Sequence, residues 1–429
     1  MQNKRISNKF SLLNLFLDFA FIIVAAVGSL SIIRYVTYDV IRTPFDSFLG
    51  LLIYAIVLYL LRFGCSFKNS FLHSCRHKKL YSFLMFIYIW ESVQSLINGV
   101  PGKAVSYIFL LIFSSIVSEY IYRLYKENNR IEYVIRPYIY YSLYNSFAIL
   151  ISGILLLVGV ITRFDIPLEL PIFEDNISKG YNFYFPGYLS VVGADSRLLS
   201  ILGIPTFCGL SHEPHVLCYT LFPVVFLSNF FLRNSKFKNL FVFLQAFVLI
   251  FMVTSATAIL CCVVVFMVHE IWSFFIYRKK SSILLVLVLI PLFVYFTQTE
   301  LFYWLSSFLE DKTSGGETTD YSYNLLKYVI SPTAIIGCGI NPPISIADGL
   351  YKDIGLLSSF FILIFYIYFL VVISRNIVSK NLLSHYVGLA CLYFALHSLK
   401  LSVLTFNYSY LIYMVTILCV VDSLRYSET

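Results

Sequence analysis

Apolar positions run in long blocks along this chain, each near the length a helix needs to cross lipid, roughly 20 residues at about 1.5 Å each for about 30 Å of hydrocarbon. Such blocks fall at 12–33, 48–62, 80–97, 104–122, 138–161, 214–232, 240–254, 256–277, 281–298, 351–373, 383–403 and 406–424. The stretch from 240 to 277 is too long for one helix, and Thr254, Ser255, Ala256 and Thr257 supply small polar residues for a tight turn, so it divides there. Two segments, 162–211 and 299–350, are too polar to sit in lipid. The pattern predicts an all-α, polytopic membrane bundle of about twelve transmembrane helices. It is one integral membrane domain over 1–429, carrying two long loops and no separable soluble domain or internal repeat.

Composition agrees with the pattern. At 429 residues, 59% hydrophobic and 13% charged, with a mean hydropathy of +0.81, the chain has too little polar surface to cover a water-soluble globule. Lysine and arginine set the orientation, because positive charge is retained on the cytoplasmic side. With the N-terminus inside, Lys4, Arg5 and Lys9 share a side with the clusters around Arg62 and Lys79, Arg123 and Arg136, Arg233 and Lys238, and Arg278 to Lys280. Both long loops then face away from the cytoplasm, and the C-terminus returns to it. The net charge of +8 follows from this bias and gives no support to nucleic-acid binding.

The first block is span-length and has no small-residue cleavage pattern behind it, so it reads as a retained anchor. The nine cysteines include no CxxC pair, and most lie in or beside apolar blocks, where Cys behaves as a small hydrophobe. Cys208 and Cys338 fall one in each outer loop, where an oxidising compartment could join them or leave both unpaired. In the first loop, the aromatic run from 181 to 188 and Leu198, Leu199, Ile201 and Leu202 predict interfacial helices lying along the membrane surface.

Chemistry is densest at Cys208-Gly209-Leu210-Ser211-His212-Glu213-Pro214-His215, where the first loop re-enters the membrane. Pro214 suits the first turn of a helix, which puts His212 and Glu213 at its electropositive N-terminus. By local chemistry the segment is a capping element. As metal ligands, the two histidines and the carboxylate have no third or fourth partner at a metal-site spacing, so neither metal nor cofactor is expected. Glu91, inside the third block, is an intramembrane acid and hence a functional candidate, or a group paired for packing.

The string GLSHEPH (209–215), at the end of an outer loop and directly before a span, resembles the signature of Wzy-type O-antigen polymerases and related bacterial polysaccharide polymerases. Further segments follow in the family's order: MVTSATAIL (252–260) is similar to its helical hairpin turn, ISPTAIIGCGIN (330–341) to its second-loop segment, and ADGLYKDIGLLSS (347–359) to the start of the next span. The resemblance covers roughly 190–375, the earlier spans matching in hydropathy alone. It departs from the family at Thr206 and Ala256, each standing where an arginine is often found; Arg197 is the nearest substitute for the first.

The resemblance implies a metal-independent glycosyltransferase that joins undecaprenyl-pyrophosphate-linked repeat units at the periplasmic face, in company with a chain-length regulator and a flippase. Such a donor needs cations for its diphosphate, a role given to Arg197 and Lys327, with His397 and Lys400 as secondary candidates. The acceptor hydroxyl needs a general base, for which Glu213 comes first, then Asp348, with His212 and His215 as further candidates. For Arg197 and Lys327 the competing reading is a solvated surface cation, and for His397 a histidine satisfied within the bundle. An O-antigen ligase shares the paired outer loops but carries a histidine in the second, and 299–350 has none. A flippase or other secondary transporter is the alternative of a different class, binding near the bilayer midplane at broken helices related by repeats.

Overall fold

In lipid every backbone N–H and C=O must be paired within its own segment, so apolar runs of this length become helices. The computed structural model describes residues 12–27, 48–65, 71–72, 78–128, 130–161, 181–184, 188–195, 204–209, 214–253, 255–277, 355–399 and 408–425. Its helices are α1 (Leu12–Val27), α2 (Phe48–Phe63), α3 (Lys78–Ile97), α4 (Pro101–Asn128), α5 (Glu132–Leu157), α6 (Pro214–Phe231), α7 (Lys238–Phe247), α8 (Ala256–Tyr277), α9 (Gly355–Ile377), α10 (Leu382–Ser398) and α11 (Tyr408–Arg425). Each block named above coincides with one of them except 281–298, which lies outside the described residues. Five helical stretches, Lys78–Ile97, Ala104–Asn128, Glu132–Leu157, Thr257–Ile276 and Phe360–Ile377, are long and apolar enough to cross a membrane, and shorter apolar helices of 10–17 residues accompany them.

The expected break near 254 is present. α7 runs on into a π-helical turn, Val248–Val253, and α8 starts at Ala256. Ser255 caps the new helix, its Oγ accepting from the Ala258 N–H at 3.4 Å. The two helices do not fold back on one another as a hairpin: α7 packs on α5 and α6, whereas α8 packs on α6 and α10.

α11 occupies the centre. Every side chain from Tyr410 to Asp422 is buried, because α1, α3, α4, α9 and α10 surround it. A helix apolar on all sides belongs in such a position. α8 is the opposite case: Leu260, Val263, Val264, Phe266, Ile271 and Phe275 all point out of the protein. Water would charge about 25 cal/mol for each Å² of that surface, and hydrocarbon does not. The architecture is that of a helical membrane protein.

The described residues are almost entirely helical, as expected, and the exception is a small sheet in the first long loop. Where the aromatic run suggested an interfacial helix, the described residues form a three-stranded antiparallel sheet in the order β1 (Tyr181–Tyr184), β2 (Tyr188–Asp195), β3 (Pro205–Gly209); Leu198, Leu199, Ile201 and Leu202, the rest of that expectation, lie outside the described residues. Tyr181 pairs with Val191 and Tyr184 with Tyr188 across the first hairpin. On β2, Ser190 pairs with Phe207 and Asp195 with Pro205, with irregular register between them. Aromatic and β-branched residues favour a pleated surface, and the run from 181 to 188 is short enough to serve as strand.

Where α10 crosses the end of α9, contact is closest at Gly388. A Cβ there would lie 2.9 Å from both the backbone N and Cγ1 of Ile377 and 3.2 Å from the Asn376 carbonyl carbon. Backbone cannot step aside, so Gly388→Ala is expected to destabilise by about 1–3 kcal/mol in spite of alanine's better helix propensity. At Gly153 the obstacle is only the terminal methyl of Met252, the end of a flexible side chain. Gly153→Ala is therefore expected to be neutral or mildly stabilising, and thermal unfolding of the purified variants separates the two.

Candidate functional site

Gly209 ends β3 and Pro214 opens α6, the two described ends of the 209–215 stretch; residues 210–213 lie outside the described residues. Thr206 and Phe207 of β3, with Ile204 just before it, are buried, and the strand ends at Gly209 with φ of 58°. That left-handed conformation is costly for any residue with a Cβ. A side chain there would also press on Leu217 of α6 at 3.1 Å and approach Asn145 of α5 at 3.5 Å. Glycine is thus required by both conformation and space. Five residues on, Pro214 opens α6, the first-turn position expected of it.

α6 lies along α10, and their contact carries a dense aromatic and polar seam. Tyr393 of α10 donates to the Cys218 carbonyl of α6 at 3.3 Å and meets His397 Nδ1 at 3.0 Å. One phenolic proton cannot serve both, so with the carbonyl bond made, the imidazole N–H donates to the phenol oxygen. The Tyr219 ring stands edge-on to His397 with centroids 5.3 Å apart and packs on Phe394 at 4.8 Å. His397 is fully buried. It thereby joins the first turns of α6 to the C-terminal end of α10.

Of the other candidates, His215 has its backbone in the first turn of α6, but its side chain lies outside the described residues, as do Arg197, His212, Glu213, Lys327, Asp348 and Lys400. Cys338 and the Cys208 side chain lie outside them too. Cys65, Cys218, Cys261, Cys262, Cys391 and Cys419 are free thiols, four of them buried. Among the described residues, no group of three or more His, Cys, Asp or Glu side chains stands close enough to share a metal ion.

Compared with protein families, with curated proteins and with solved structures, the chain matches none.

Three polar clusters inside the bundle escaped the motif reading or were only half seen by it. Arg62 of α2 donates to Asp18 of α1 at 3.0 Å and to Glu127 of α4 at 2.6 Å, and Tyr120 donates to the same Asp18 oxygen at 2.7 Å. Beside them Glu119 accepts from Arg123 at 2.8 Å and from the Phe71 N–H at 3.1 Å. The second cluster pairs His269 of α8 with His385 of α10, Nδ1 to Nε2, at 2.8 Å. His385 Nδ1 lies 2.8 Å from the Ile377 carbonyl, which can only accept, so a neutral His385 takes its other bond from His269. Trp272 stacks on His385 at 3.6 Å. The third gathers around Glu91 between α3 and α9. Nothing in local sequence announces partners 44, 65 or 116 residues apart; an acid or histidine inside an apolar block was the one available signal.

Proposed function

We infer that the chain is a polysaccharide polymerase of the O-antigen type, a metal-independent glycosyltransferase acting on undecaprenyl-diphosphate-linked repeat units at the outer face of an inner membrane. The reading rests on the 209–215 segment, which resembles the family signature. Its support in the fold is the position of that segment: at the joint between a sheet-forming loop and α6, braced through Tyr219 and Tyr393 against His397. The backbone of His215 and the side chain of His397 lie at the same end of the α6–α10 pair.

The chemistry assigns each residue a task. Glu213, with Asp348, His212 and His215 as alternatives, takes the proton from the acceptor hydroxyl. The freed oxygen bonds to the anomeric carbon of the donor glycan, and the bond from that carbon to the diphosphate breaks. Arg197 and Lys327, with Lys400 and His397 nearby in the scheme, stabilise the charge gathering on the departing diphosphate. A donor with a polyprenyl tail also calls for a lipid-facing opening.

The buried Glu91 favours a second reading, a transporter of lipid-linked glycans, because ionisable groups inside a bundle mark transport pathways. Deleting the gene in its own host separates the readings. A polymerase deletion is expected to leave lipopolysaccharide carrying a single repeat unit. Lipid-linked units held on the cytoplasmic side would instead indicate a flippase, and polymer left on its lipid carrier a ligase.

A further inference from the structure

Glu91 is enclosed by protein, with 6% of its surface exposed, and its Oε1 is buried without a hydrogen-bond partner. Around it the polar groups are all oxygen-centred or neutral. Ser358, in the first turns of α9, is a neighbour of the carboxyl, though its hydroxyl donates to Gln94 in this geometry. Its hydroxyl accepts from Trp90 Nε1 at 2.8 Å and faces Gln94 Oε1 at 3.4 Å. Ser95 donates to the Glu91 backbone carbonyl at 2.8 Å, and Ser92 to the Ala104 carbonyl of α4 at 3.1 Å, so these hydroxyls are already committed.

The helices packed on α3 bring no cation among the described groups. α9 contributes Ser358 at this level. The ionisable neighbours are phenols: Tyr88, one turn away on α3, and Tyr107 of α4 within electrostatic reach of Tyr88. α11 reaches α3 at its other end, near Tyr81, with Cys419. Glu119 and Arg123 of α4 are bonded to each other.

We propose that Glu91, with Ser358 and Gln94, forms an intramembrane proton-binding site at the seam between α3 and α9. The Ser358 hydroxyl is its switch. It has one proton to give, since its oxygen already accepts from Trp90. With Glu91 ionised, Ser358 turns to the carboxylate while Oε1 stays unpaired, an unmatched charge in a buried place. When a proton arrives from water onto the carboxylate, the acid is neutral and Ser358 turns to Gln94. Uptake and release therefore exchange one hydrogen bond for another across the seam. α9 directly follows the 299–350 loop, so the site couples protonation to the helix on which that loop ends. The assignment stands on the burial of Glu91, its unpaired Oε1 and the Trp90–Ser358–Gln94 contacts, and holds for a polymerase or a transporter.

The full-length protein in lipid vesicles, treated with the apolar reagent dicyclohexylcarbodiimide, tests it. The reagent adds across the O–H of a protonated carboxyl and leaves a stable N-acylurea that peptide mass spectrometry locates. Glu91 is expected to label about tenfold more than Glu119, a buried carboxylate whose oxygens accept from Arg123 and from the Phe71 N–H. Labelling is expected to rise as pH falls from about 9 to about 6, and sodium is expected not to protect. Ser358→Ala, which removes the donor to the carboxylate, is expected to raise labelling at neutral pH. Absence of the adduct at Glu91, labelling that does not vary with pH, or protection by sodium would each overturn the proposal.

Discussion

Cells whose only copy of this chain carries Glu213→Gln are expected to show lipopolysaccharide with a single repeat unit, the ladder of longer bands being lost. The substitution keeps shape and hydrogen-bonding capacity but removes the base, and general-base catalysis contributes about 10²–10⁴-fold. A polymerase slowed by that factor cannot outpace transfer of single units to the lipid core. Arg197→Ala is expected to shorten the ladder through a weaker hold on the diphosphate, with Arg197→Lys recovering part of it as a point charge without the bidentate fork. Asp348→Asn gives the third comparison. Full-length ladders from all three variants, at wild-type protein levels, would remove this assignment of the site. Because Glu213 immediately precedes the first turn of α6, its replacement also takes a negative charge from the helix N-terminus, an effect of about 0.3–1 kcal/mol. Protein abundance has therefore to be measured beside the ladder.

Helix positions were legible because the rule behind them is local: a helix in lipid satisfies its own backbone, and hydropathy along about 20 residues detects it. The break after Val253 was legible for the same reason, Ser255 being a capping residue within an otherwise apolar run. What hydropathy cannot distinguish is lipid from protein. The central α11 and the outward-facing α8 read alike as sequence, yet one is enclosed from Tyr410 to Asp422 and the other exposes Leu260 to Phe275 along one face. The sheet in the first loop was missed because tyrosine and phenylalanine serve equally as interfacial anchors and as strand formers. Pairing of Tyr181 with Val191 is decided by a second segment that local pattern does not consult. At the candidate site, Gly209 and Pro214 carry their conformations in their own chemistry. The brace through Tyr393 and His397 depends on how two distant helices cross, and no spacing encodes that.

Arg62→Met is expected to cost about 3–5 kcal/mol, the largest stability loss of any substitution considered for the bundle. Arg62 and Asp18 each expose 8% of their side chains, and the pair is made at 3.0 Å. Removing the guanidinium leaves the Asp18 carboxylate with the Tyr120 hydroxyl as its bonded donor, and a shielded charge without a counter-charge is the expensive outcome. The Glu127 arm adds little, since that side chain is 45% exposed and exposed pairs contribute about 0–1 kcal/mol. Arg62→Met combined with Asp18→Leu is therefore expected to recover most of the loss, because an apolar pair of similar volume replaces an ionic one at little net cost. The reading is the thermal midpoint for loss of monodisperse protein in detergent, taken at fixed heating rate because such unfolding is governed by kinetics. A double variant as unstable as the single one would show that Arg62 acts through its packing on the Phe63 ring at 4.7 Å and not through charge. Three helices, α1, α2 and α4, meet at this guanidinium, so the ionic term, if present, holds the N-terminal half of the bundle in one arrangement.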